Sequence, residues 1–132
     1  MFRSSIPPRP STFFSVRSET GWICVVRSAQ RFEDEEQVRS ERLNIGLILD
    51  AMGRGSALLV DSRLAPASTD FEHGAEFKAL RREVERGFAR VAVLVQTKLG
   101  VLQANRLRPE DSARIMRVFD DEKEAIAFLL GK

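Results

Sequence analysis

One histidine, His73, and one cysteine, Cys24, stand in a chain of 132 residues. A lone cysteine excludes an internal disulfide and any cysteine-cluster metal site. A lone histidine leaves little material for general-base chemistry of the Ser-His-Asp kind. Long apolar runs are also missing: none approaches the ~18 residues that a membrane span needs. Residues 1–10 hold arginines but no apolar h-region, so no secretory signal is expected. A cytoplasmic location without membrane insertion is the resulting expectation. Charge of one sign is scarce as well, with 21 Lys+Arg against 19 Asp+Glu for a net charge of +2. The densest basic group is Arg81, Arg82, Arg86 and Arg90, interleaved with Glu83 and Glu85. That mixture reads as a solvated helix face with intrahelical ion pairs. It lacks the basic stripe with aromatics or a reading helix of a nucleic-acid binder, so no nucleic-acid partner is expected.

What is present is a pattern of alternating strands and helices. With 43% hydrophobic and 30% charged residues, the composition suits one globular domain. Pro7, Pro8 and Pro10 mark residues 1–11 as an extended tail, leaving 12–132 as the domain. Phe13, Phe14 and Val16, then Trp22 to Val26, form two β-rich runs around the turn Ser18-Glu19-Thr20-Gly21, a hairpin. Val38, Ile45, Leu49 and Met52 share one helix face behind Glu33-Asp34-Glu35-Glu36, an acid cluster that complements the positive end of a helix dipole. Gly53-Arg54-Gly55 closes that helix. It is no phosphate loop, because such loops follow a strand and open a helix. Ser56–Asp61 and Arg90–Gln96 are continuous apolar runs that fit strands buried on both faces. A helix is predicted between them from about Thr69 to Phe88, with Ser68 or Thr69 as its cap. Thr97 opens a third helix, Ile115–Phe119 is a short strand, and Asp121 with Glu124 has the form of a capping box for a closing helix. The sum is an α/β domain, β-β-α-β-α-β-α-β-α, with a mixed, mostly parallel sheet covered by helices.

Three stretches carry a family resemblance: Ala57-Leu58-Leu59-Val60-Asp61, Arg90-Val91-Ala92-Val93-Leu94-Val95, and Val118-Phe119 running through the acidic cap into Ala125–Leu129. In these the chain resembles the STAS family, and most closely its SpoIIAA-like, STAS/SEC14-like group of small bacterial proteins. The resemblance covers about Thr12 to Leu130. It implies a STAS-like fold and a regulatory, protein-binding role without catalysis. Members of the family carry an Asp-Ser-Ser-Gly-like motif whose serine is phosphorylated by a partner kinase. Here Asp61-Ser62-Arg63-Leu64 stands in its place, with a longer loop and with Ser68 and Thr69 ahead of the helix. Phosphorylation at Ser68 or Thr69 is therefore weighed against simple helix capping.

Topology sets the best place for a ligand, beyond the carboxyl ends of parallel strands. That edge carries Asp61, Ser62 and Arg63 after one strand and Gln96, Thr97 and Lys98 after the next. A small anion at the Thr97 helix start is one reading, and strand-ending and capping roles are the other. Cys24 alternates with Trp22 and Val26 and reads as a buried small hydrophobe. No enzyme activity, cofactor or metal is expected. The leading reading is a non-enzymatic interaction module working through a protein partner or through self-association. In the second case Trp22, Phe13 and Phe14 supply the edge of a homodimer. The alternative is a small-ligand or lipid-binding domain whose cavity, between sheet and helices, is lined by Phe71, Phe77 and Phe88.

Overall fold

A two-residue reversal at Thr20 and Gly21 begins the fold, with Gly21 at φ +90°, a backbone geometry that glycine adopts without strain. It joins β1 (Phe14–Glu19) to β2 (Trp22–Arg27) in antiparallel register, from Phe14 opposite Arg27 to Glu19 opposite Trp22. The strands run further into the turn than predicted, because Ser18 and Glu19 still pair. The computed structural model describes residues 9–66, 74–101 and 115–131. After the hairpin come α1 (Glu35–Met52), β3 (Ala57–Asp61), α2 (Ala75–Glu85), β4 (Arg90–Leu94), β5 (Met116–Phe119) and α3 (Glu122–Leu129). Residues 98–101 are also helical, where the sequence places its third helix. The five strands lie in the order β1-β2-β3-β4-β5, with every pair after the hairpin parallel.

Strand order that follows chain order fixes where the helices go. Crossovers between parallel strands are almost always right-handed, so strands added in one direction send their helices to the same face. The core divides accordingly. Ile23, Val25, Leu58, Val91, Val93 and Val118 form one face and pack with Val38, Ile45 and Leu49 of α1 and Leu80 and Val84 of α2. Val101 also packs against this cluster. The alternate residues Cys24, Leu59, Ala92 and Leu94 form the second face and meet Ala125 and Leu129 of α3.

The helix ends follow local chemistry. Asp34 caps α1 by accepting from the Gln37 amide at 2.8 Å, and Gly53 ends it at φ +87° with its N–H on Leu49 and Asp50 carbonyls. Asp121 caps α3 by accepting from the amides of Lys123 and Glu124. At α2 the expectation needs correcting. This helix starts at Ala75 with Gly74 in the N-cap position and no side-chain cap, and it stops at Glu85, short of Phe88. Ser68 and Thr69 lie outside the described residues. Gly87, at φ +82°, turns the chain into β4 instead.

Three further expectations change. Met52 shares the angular stripe of α1 but is 37% exposed, because it falls in the last turn beyond the packed stretch. Glu41 and Asn44 are buried on α1 in its stead. Their partners come from residues assigned to the tail: Asn44 exchanges two 2.9 Å hydrogen bonds with the backbone of Arg9, and the Ser11 hydroxyl donates to Glu41 at 3.0 Å. Residues 9–11 are therefore seated on α1. Phe13 and Phe14 do not form an exposed dimer edge, since both are buried. Phe13 stacks on Phe32 at 4.3 Å, and the Arg27 guanidinium lies 4.8 Å from the Phe32 centroid.

Candidate functional site

The carboxyl edge of the sheet brings the ends of β3 and β4 side by side. Asp61 is opposite Leu94, and the Ser62 amide donates to the Leu94 carbonyl at 2.8 Å. Strand alternation points Asp61 onto the second face, where its side chain is 14% exposed. Arg63 curls back onto it. The Arg63 Nε and Nη2 reach the two carboxylate oxygens at 3.0 and 2.8 Å, and its backbone N–H donates at 3.1 Å. The same Nη2 touches Glu122 Oε1, in the first turn of α3, at 3.3 Å. The fork of hydrogen bonds from Arg63 holds the Asp61 carboxyl below its ordinary value of 3.8, against the opposing effect of burial. Arg63 is thus a strap from strand end to helix start, with its charge already met by two carboxylates.

The other half of the predicted site has a different role. The Thr97 hydroxyl accepts from the Gly100 amide at 3.0 Å, and the Val101 amide donates to the Thr97 carbonyl. Thr97 caps the helical residues 98–101, so its hydroxyl is engaged where a bound anion was expected. Gln96 and Lys98 are exposed. The six residues lie at one edge of the sheet, where Asp61 and Arg63 form an ion-paired strap and Thr97 a helix cap. Glu122 went unrecognised as a member of this cluster, because the acidic run Asp120-Asp121-Glu122 reads locally as a cap alone. Folded-state lowering of the Asp61 pKa means that its stabilisation is present above pH 3.8 and is lost as pH falls through the folded value. Arg63→Ala should therefore cost about 1 kcal/mol at neutral pH, a modest sum because the guanidinium is half-exposed. Urea unfolding of both proteins should show this gap closing as pH is lowered from 3.8 through the lowered Asp61 value. A gap unchanged by pH would contradict the strap.

The remaining chemistry-bearing residues are placed as follows. Cys24 is buried on the second face, and desolvation pushes its thiol up, away from the reactive thiolate. Phe88 is buried and Phe77 is half-buried against the core, edge-on to Phe32 at 6.2 Å. Those two rings therefore fill core space where a sheet–helix cavity was expected, while Phe71 and His73 lie outside the described residues. Among the described residues no three His, Cys, Asp or Glu side chains gather to hold a metal ion. No described helix is long and apolar enough to cross a membrane.

A second region went unread in the sequence. Gly53-Arg54-Gly55 places Arg54 past the end of α1, and its side chain turns under the C-terminus of α2, where it is 8% exposed. Its Nη1 donates to the carbonyls of Glu83 and Arg86, each at 2.7 Å, its Nε to Asp50 at 2.7 Å, and its Nη2 to Glu83 at 2.8 Å. Arg86 closes the ring, contacting Glu83 at 2.7 Å and Asp50 at 3.1 Å. A cation belongs at a helix C-terminus, where carbonyls lack partners. Of the arginine group, Arg86 pairs with Glu83 from just past the end of α2, whereas Arg90 donates from β4 to the Phe128 carbonyl at 2.7 Å.

Helices α1 and α2 come close beside this cluster because residue 46 is glycine. A Cβ there would lie 2.9 Å from Glu83 Oε2, which Arg54 and Arg86 hold in place. Outside the contact the two helices flank an open groove of about 710 Å³, lined by apolar Leu43, Leu47 and Ala79 and by Arg42, Arg82 and Arg86 together with Asp50 and Glu83. Comparison with protein-family models, with curated proteins and with solved structures gave no match to this chain.

Proposed function

We propose that this domain is a non-enzymatic interaction module that resembles STAS domains and works by binding a protein partner. The observation that carries the reading is how the polar groups are distributed. At the carboxyl edge of the sheet, where an α/β enzyme would hold substrate, Asp61 and Glu122 are ion-paired to Arg63 and Thr97 caps a helix. The open, mixed apolar and charged surface lies instead on the helix layer, between α1 and α2. Surfaces of that composition are those by which proteins bind one another. A cavity-bound lipid or small ligand has less in its favour, because Phe77 and Phe88 pack into the core.

Native mass spectrometry of the protein, freshly purified from its own cells under gentle conditions, tests the reading. A stoichiometric complex with another protein is the expected result, and a doubled mass would make that partner a second copy. A persistent small-molecule adduct, or a bare monomer even at high concentration, would overturn it.

A further inference from the structure

We propose that the groove between α1 and α2 receives an acidic amphipathic helix of a partner protein; this rests on the interaction-module reading. The walls define the chemistry. Leu43 is 64% exposed at the rim, and with Leu47 and Ala79 it gives the groove an apolar strip. Such exposure of a large side chain beside other apolar groups marks a contact surface. The charges of the lining fall into two groups. Asp50, Glu83 and Arg86 neutralise one another with Arg54. Arg42 of α1 and Arg82 of α2 also line the groove, and neither has an ion-pair partner among the described residues. The unmet charge is thus positive on both walls, and an incoming segment gains by bringing carboxylates.

Backbone chemistry selects a helix. Both walls are helices whose N–H and C=O groups are bonded internally, so the groove offers no main-chain ladder to an extended peptide. A helix satisfies its own backbone and lays an apolar stripe along Leu43 and Leu47, with acidic residues flanking it. A nucleic-acid strand fits less well, because Asp50 and Glu83 line the groove and no aromatic ring does. A second copy docked by a two-fold axis would bring two patches of the same composition together and add no carboxylates beyond Asp50 and Glu83, which are already ion-paired.

A fluorescent synthetic helix with leucines at i, i+3, i+4 and i+7, flanked by glutamates, is the probe, with a lysine-flanked helix of the same apolar face as control. Anisotropy titration on the full chain should show binding of the acidic helix alone, weakening as salt is raised. Leu43→Asp should weaken it about tenfold, and the double variant Arg42→Glu/Arg82→Glu should abolish it and bind the lysine helix instead. That exchange of preference requires a folded variant, so simple unfolding cannot imitate it. Equal binding of both helices, no binding, or binding that ignores these substitutions would overturn the proposal. If native mass spectrometry finds a protein complex whose cross-links avoid residues 42–50 and 79–86, the groove assignment fails and the module reading stands. A small-molecule adduct in that experiment removes the module reading itself.

Discussion

Arg54→Ala should lower the unfolding free energy by about 3 kcal/mol and the melting temperature by roughly 10 °C, measured by urea and thermal unfolding. The side chain is 8% exposed and joins the end of α1, the C-terminal carbonyls of α2, and the carboxylates of Asp50 and Glu83, which only Arg86 also bridges among the described residues. Removing it leaves carbonyls of a helix terminus without their donor and two acids with Arg86 as their shared cation. The loss stays at the lower end for a broken buried pair, because Asp50 is 53% exposed and water re-solvates it. Arg54→Lys should recover only about half. An ammonium is a point charge, and it cannot span two carbonyls and two carboxylates as a planar fork does. The arginine also lies 5.9 Å from the Phe88 ring centroid, a contact that either replacement weakens. Melting within about 2 °C of wild type for Arg54→Ala would show that the carbonyls find other donors.

Leu49→Ala should cost about 2–5 kcal/mol in urea unfolding, whereas Met52→Ala should stay within about 0.5 kcal/mol. The two residues are neighbours on the same helical stripe and differ in what covers them. Leu49 has no exposed surface and packs in the larger core cluster, so truncation leaves a cavity that the surrounding sheet and helices cannot fill. Met52 sits one residue before the Gly53 cap and is already 37% wet. Comparable losses at both sites would mean that α1 is packed along its whole length.

That pair also marks how far periodicity reaches. Spacings of seven, four and three located α1 and gave the inward direction of Val38, Ile45 and Leu49 correctly, since side-chain direction is a local property of a helix. They carry no information about where the helix stops being covered. The order of elements was legible for the same local reasons, from apolar runs such as Ala57–Val60 and from caps such as Asp121. Contacts distant in sequence were not. Arg54 meets Glu83 and Arg86 across separations of 29 and 32 residues, and Arg63 meets Glu122 across 59. An arginine in a Gly-Arg-Gly turn looks the same in sequence whether it points to water or beneath another helix. Phe13 and Phe14 misled for a related reason. Two adjacent phenylalanines cannot both point inward within one strand, but Phe13 precedes β1, so both are buried. Which residues end neighbouring strands at the sheet edge was legible, because topology dictates it. The ion-paired strap there depends on which charges the folded chain brings together.

The match between strand order and chain order bears on how the chain acquires its structure during synthesis. Each new strand joins the edge left by the one before it, so none waits for a later segment to be inserted between established neighbours. The helices α1 and α2 arrive between strands and can shield the first face as it grows. The second face has no such early shelter among the described residues. Cys24, Leu59, Ala92 and Leu94 stay open until Ala125 and Leu129, which follow β5, emerge. A nascent chain therefore carries an uncovered apolar sheet from the first strands until α3 follows β5, the interval in which chaperone binding or aggregation would compete with that helix.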